Sequence, residues 1–137
     1  MAETFDPTDL PPRVVSFLTE RHLATLTLQR RDGRPHVTPV GFTFDQASGL
    51  ARVITWTDSW KNKHVVRAPG QDVAICQVDG GQWLTLYGTA VATDDAARAA
   101  EGVRRYAERY RPPKDRDDRV VIEVTVAEIV GTVRKPD

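Results

Sequence analysis

His22-Leu-Ala-Thr-Leu-Thr-Leu-Gln29, then Arg30-Arg-Asp-Gly-Arg34, then Pro35-His-Val-Thr-Pro-Val-Gly-Phe-Thr-Phe44: two runs rich in β-formers flank a turn that carries Asp32-Gly33. An Asp-Gly pair between two such runs supplies the positive backbone dihedrals of a tight turn, so the stretch predicts an antiparallel hairpin. In the second run Val40, Phe42 and Phe44 share one face. Pro35 and Pro39 cannot donate ladder hydrogen bonds and therefore predict a strand start, an edge or a bulge.

Downstream, Asp45-Gln-Ala-Ser-Gly49 predicts a loop, residues 50–56 a third strand, and residues 72–78 a fourth. Asp79-Gly-Gly81 then turns into the longest alternating run, residues 82–92, with Trp83, Thr85 and Tyr87 on one face and Leu84 and Leu86 on the other. Two tight links in succession favour an antiparallel meander over a βαβ sheet. A last strand covers residues 119–126 and continues through residues 129–133. Residues 8–20 predict a short opening helix, with Thr8 as its cap and prolines in the first turn. Thr93-Asp-Asp95 caps a longer helix with an apolar stripe of Ala96, Ala100, Val103, Tyr106, Ala107 and Tyr110, stopped by Pro112-Pro113. Its other face, from Arg98 and Glu101 to Arg109, reads as solvated surface with i,i+4 pairs such as Glu101–Arg105. About six antiparallel strands with two or three short helices make a mostly β fold, a small barrel in a single domain spanning residues 1–137. Barrels of that size fill their interior with side chains, so a ligand is expected outside, in a groove or at a subunit interface.

The 19 basic and 19 acidic side chains cancel. No global field remains to hold nucleic acid or an anionic membrane, and neither is expected as a partner. Cys76 is the only cysteine and sits in the apolar run Val73-Ala-Ile-Cys-Gln-Val78, which predicts a reduced core thiol and a cytoplasmic protein. No run approaches the roughly 20 apolar residues of a membrane span, and Met1-Ala-Glu-Thr-Phe-Asp lacks the regions of a signal peptide. His22, His36 and His64 show no metal-ligand spacing, and no metal is expected. Nucleophile elbows, Walker loops and GxGxxG are missing too, so an enzyme of this composition would borrow its reactivity from a cofactor.

Such a cofactor would need an anion clamp. Ser59-Trp-Lys-Asn-Lys-His-Val-Val-Arg67 follows the third strand with three fixed cations and no acid. A serine opening a short helix offers a hydroxyl and unpaired N–H groups, and Lys61, Lys63 and Arg67 add charge within two turns, which is a phosphate-binding profile. The same pattern also describes a solvated basic helix face.

Asp32-Gly-Arg-Pro-His, Val40-Gly-Phe-Thr-Phe-Asp45, Ala51-Arg-Val-Ile-Thr55, Ser59-x-Lys61, Gln77-Val-Asp-Gly-x-x-Trp-Leu-x-Leu-x-Gly88 and Arg105-Tyr-Ala-x-Arg-Tyr-Arg111, in this order and spacing, resemble the split β-barrel flavin and deazaflavin oxidoreductases. Among these the chain is similar to actinobacterial F420-dependent biliverdin reductases over almost its whole length. The resemblance implies the FMN-binding split barrel fold and a homodimer with cofactor grooves at the subunit interface. It implies that Thr38, Pro39 and Val40 wall the ring of coenzyme F420, an 8-hydroxy-5-deazaflavin, beside Ile54, Thr55 and Trp56. Ser59, Trp60 and Lys61 would then engage its phosphate, Lys63 and Arg67 its acidic tail, while Trp83, Thr85 and Tyr87 of the partner subunit would close the groove or form the dimer core. It further implies hydride transfer to a conjugated acceptor, biliverdin at its central methine giving bilirubin, with Arg34, His36 and Arg67 near its propionates and His36 a candidate proton donor. Two alternatives stay open: an FMN-binding oxidoreductase like the pyridoxamine-phosphate oxidases, and a non-catalytic carrier of cofactor or tetrapyrrole.

Overall fold

The expected hairpin forms. In the computed structural model, which describes residues 2–137, strands β2 (Ala24–Gln29) and β3 (Pro35–Val40) pair antiparallel from Ala24↔Val40 to Gln29↔Pro35. Gly33 takes φ +87° in the turn, where its N–H donates to Arg30 O at 2.9 Å. Before the hairpin come β1 (Glu3–Phe5) and α1 (Pro12–Thr19). After it come β4 (Thr43–Asp45), β5 (Leu50–Trp56), α2 (Trp60–Arg67), β6 (Gln71–Asp79), β7 (Gln82–Thr93), α3 (Ala96–Arg109) and β8 (Arg119–Thr132).

All eight strands belong to one antiparallel sheet in the order β3-β2-β6-β7-β8-β5-β4, with β1 added on β8. The two ends of that order, β3 and β4, are neighbours in the chain. The sheet therefore curls until its ends are joined through Gly41-Phe42 rather than through a ladder, which makes a split β-barrel. Leu26, Leu28, Phe42, Ile75, Leu84, Leu86, Ile122 and Ile129 fill its interior and are fully buried. Each such side chain contributes about 1.5–3 kcal/mol relative to exposure.

Eight strands replace the expected six for two reasons. The first is β1, a three-residue strip paired with the end of β8, from Glu3↔Gly131 to Phe5↔Ile129. The second is the break in the run from residue 35 to 44. A Cβ at Gly41 would lie 2.9 Å from Tyr106 Cε2 and 3.1 Å from Tyr110 Cε2, so the backbone passes close under both rings. Phe42 N then donates to the Tyr110 hydroxyl at 3.1 Å, and Phe42 O accepts from Arg109 Nη1 at 2.6 Å, which takes both groups out of any ladder. The strand turns the corner there. The last strand continues past residue 126 as expected: β8 runs unbroken to Thr132, with a bulge opposite Tyr87 and Gly88.

Three helix details differ from expectation. Thr8 is not the cap of α1; its hydroxyl bonds Asp6 Oδ1 at 2.7 Å, and Pro11 occupies the cap position without a side-chain bond. α3 is capped by Asp95 as expected, but its buried positions are Ala99, Gly102 and Arg109, not the stripe through Ala96 and Ala100. Gly102 lets the helix rest directly on Ile54 and Val121. The solvated face also loses one member, the buried Arg109, while Arg98 stays exposed and pairs with the buried Glu123 carboxylate of β8. Among the described residues no helix is long and apolar enough to cross a membrane.

Candidate functional site

β5 and α2 meet at a polar hinge. The Ser59 side chain caps α2, accepting from Asn62 N at 3.2 Å, and it also accepts from the Thr55 hydroxyl at 2.6 Å. Asn62 Nδ2 in turn donates to Thr57 O at 3.0 Å. These buried bonds fix where the first turn of α2 begins relative to the end of β5. They also set Lys61 beside Trp56, with its ammonium 5.0 Å from the indole centroid.

Lys61 opens onto a groove of about 220 Å³ outside the barrel. One wall is Pro39, Val40 and Gly41 at the β3 corner; another is Val53, Ile54 and Trp56 of β5. Tyr106 of α3, Pro113 and Arg119 complete it. Two cations line this groove and no carboxylate does. Lys61 makes no ion pair among the described residues, and burial pushes its pKa down. Arg119 is likewise pushed down, chiefly by burial; its donors go to two neutral acceptors, Thr55 O at 3.2 Å and Lys114 O at 2.7 Å. A slot with apolar and aromatic walls, two uncompensated cations, and the free N–H groups of Trp60 and Lys61 at the start of α2 suits a flat anionic cofactor with a phosphate.

Of the residues expected from sequence, Pro39, Val40, Ile54, Trp56 and Lys61 come together in this groove. Thr55 and Ser59 lie beneath it, buried, their hydroxyls committed to each other. Thr38 is half-buried on β3 beside Pro39. Trp60 is exposed, with the Lys63 ammonium 4.9 Å from its ring centroid. The others gather at the hairpin end of α2, about 12 Å away for an eight-residue helix. There Arg67 donates to Gln29 O at 2.8 Å, Arg34 pairs with Asp32 at 2.7 Å in the exposed turn, and His36 packs on His64 with centroids 4.8 Å apart. Burial, then His36, Arg67 and Arg30, push the His64 pKa down.

Gly41, Val53, Tyr106, Pro113 and Arg119 were not expected in the site. Tyr106 had a signal, since it belongs to the segment 105–111 that carries the family resemblance. Arg119 had none: it reaches the groove because the register puts it opposite Trp56, a pairing between strands more than sixty residues apart.

The pyridoxamine 5'-phosphate oxidase family profile matches residues 10–132. The chain is 44% identical to an F420H(2)-dependent biliverdin reductase of Mycobacterium tuberculosis over 133 residues, covering 96% of this chain and 95% of that protein. Among solved structures it is similar to an F420 reductase, with TM-score 0.67 and 25% identity over 88% of this chain and 98% of the other. A putative pyridoxamine 5'-phosphate oxidase from Listeria innocua shares the fold, with TM-score 0.67 at 19% identity over 85% of this chain and 93% of the other.

Proposed function

The chain belongs to the pyridoxamine 5'-phosphate oxidase family, and from that premise we propose that it is a reductase dependent on coenzyme F420, with biliverdin as its acceptor. The single observation that carries the phosphate site is Lys61, a half-buried ammonium in an aromatic groove with no ion pair among the described residues, and the likeness to an F420H(2)-dependent relative favours F420 over FMN. When bound, the reduced coenzyme supplies the hydride. The protein's part is binding and alignment: Pro39, Val40, Ile54 and Trp56 flank the ring with Thr38 and Thr55 behind them. Lys61 and the first-turn N–H groups of α2, placed by Ser59, take the phosphate. Lys63 and Arg67 on the exposed side of α2 accompany the acidic tail, with the Trp60 ring beside Lys63 at the start of the helix. Arg34 and His36 stand where the carboxylates of a long acceptor would arrive.

A groove of about 220 Å³ is smaller than the roughly 300–1,000 Å³ of complete ligand sites, so one chain supplies only part of the enclosure. A second copy is proposed to supply the rest. The outer face of β2, β3, β6 and β7 presents Val37, Val78 and Tyr87 to solvent, and Pro39 lies on that same face at the groove's rim. Covering it with a second copy would bury the apolar patch and close both grooves at once. Cytoplasm is the proposed compartment, where the lone thiol of Cys76 stays reduced.

The test is a fluorescence titration of the purified protein with oxidised F420 and with FMN, repeated on Lys61→Ala. A contact from Lys61 to phosphate at 4 Å is worth up to about 4 kcal/mol at an effective dielectric near 20, before desolvation. Preferential F420 binding, weakened at least about tenfold by the substitution, is expected, followed by turnover with biliverdin. Preference for FMN would replace the cofactor assignment with an FMN-dependent one. Tight F420 binding without turnover would make the protein a carrier.

A further inference from the structure

We infer that Arg119 is a specificity-determining residue that selects a cofactor ring able to ionise. The inference rests on the deazaflavin reading and deepens it. Arg119 lines the groove with Tyr106 and Pro113. Its two hydrogen bonds go to backbone carbonyls, Thr55 O on β5 and Lys114 O on the loop after α3, so its charge is fixed in position without being cancelled. The groove's other charged side chain is Lys61, also a cation.

The groups around Arg119 leave that excess in place. Tyr106 faces it from α3, and Asp115, Arg116 and Asp118 come from the loop that leads into β8. Asp118 is held by Arg116 through bonds of 2.9 and 3.1 Å, while Asp94, Asp115 and Asp117, with Arg104, line the neighbouring chamber behind α3, which Arg119 also borders, so no carboxylate lies on the groove side of its guanidinium. The Arg116 guanidinium sits 4.7 Å from the Trp56 ring centroid, its charge already matched by Asp118, so the excess at the slot is that of Lys61 and Arg119. A neutral ring gains little from such a field.

An 8-hydroxy-5-deazaflavin is not confined to the neutral state. Its hydroxyl is phenol-like and conjugated through the tricycle to the pyrimidine carbonyls, so loss of its proton spreads a negative charge along the ring. A cation anywhere along that edge favours the anion, and an opposite charge within about 4–6 Å lowers such a pKa by about 1–3 units. An oxidised ordinary flavin has no hydroxyl there to ionise near neutrality. Arg119 would therefore discriminate between two rings of almost the same outline by charge rather than by shape.

The experiment is an absorbance pH titration of oxidised F420, free and bound to the wild-type protein, to Arg119→Gln and to Arg119→Lys, with FMN affinity measured in parallel. On binding to wild type the ring hydroxyl should ionise at least about one pH unit lower than in free coenzyme. Arg119→Gln should return it towards the free value and weaken F420 binding about tenfold above the midpoint, a larger loss than the one it causes for FMN. Arg119→Lys loses the paired carbonyl bonds but keeps the charge, and should retain most of the shift. An unmoved midpoint in wild type, or equal behaviour of the Gln and Lys variants, overturns the inference and leaves the F420 assignment standing. No F420 binding by the wild-type protein sinks both.

Discussion

Arg109 shows how much of this fold hangs on single side chains. It is buried on α3, and its guanidinium donates to Glu20 O at 2.8 Å, Phe42 O at 2.6 Å and Gln77 Oε1 at 2.8 Å. Those acceptors belong to the end of α1, the β3–β4 corner and β6. No carboxylate pairs with it among the described residues, and burial pushes its pKa down without discharging it, so the charge is stabilised by carbonyl dipoles and the Phe42 ring 4.8 Å away. Arg109→Met should lower stability by about 3–5 kcal/mol in urea denaturation, because three acceptors lose their donor at once. Arg109→Lys should recover little, since one ammonium cannot span acceptors on three elements. A loss under about 1 kcal/mol for the Met variant would mean that water replaces the guanidinium there. Gly41 matters for the complementary reason that nothing larger fits: the rings over it line the groove and anchor the corner, so its missing side chain shapes fold and site together.

At the scale of elements, α2 is the part on which the proposed cofactor binding depends most directly, and its start is set by the Ser59 cap. Ser59→Ala should cost about 1–2 kcal/mol for the lost bond to Asn62 N, and more because the fully buried Thr55 hydroxyl loses its acceptor. Adding Thr55→Val removes that orphan, so the double variant should be less destabilised than the sum of the singles, as a thermal-unfolding cycle would show. On α3, hydrogen bonds from Arg104 and then Arg105 hold the Glu101 pKa down to about 2. A carboxylate depressed in the folded state contributes stability above its unfolded value, near 4.3, and loses it as pH falls towards about 2. Its side chain is 34% exposed, so screening keeps the effect below about 1 kcal/mol. Glu101→Gln should flatten the acid limb of stability between about pH 4 and 2, and an unchanged limb would show that the pair contributes nothing measurable. The elements legible in sequence were those set by their own residues: the Asp32-Gly33 hairpin, the Ser59 cap and the Asp95 cap. β1, the break at Gly41, the burial of Arg109 and the arrival of Arg119 in the groove each depend on a partner far along the chain, and no local pattern announces them.

For the whole molecule the open question is what covers the outer sheet face. The barrel's inner apolar residues are buried, whereas Val37, Val78 and Tyr87 on its outer face remain exposed in strands that pair side by side. Thr85 between them is already buried, so the face holds both flat buried positions and protruding apolar ones. A charge at the exposed Tyr87 position should be tolerated by the isolated chain and rejected by any closely packed copy. Tyr87→Glu is therefore expected to fold with unchanged circular dichroism and to sediment as a monomer where the wild type sediments as a dimer. Its affinity for F420 should fall at least about tenfold although Tyr87 lies outside the single-chain groove, because the proposed dimer takes the missing wall from the partner. A monomeric wild type, or a monomeric variant that binds F420 as tightly as wild type, would show that the groove is complete within one chain and that this apolar face serves some other partner.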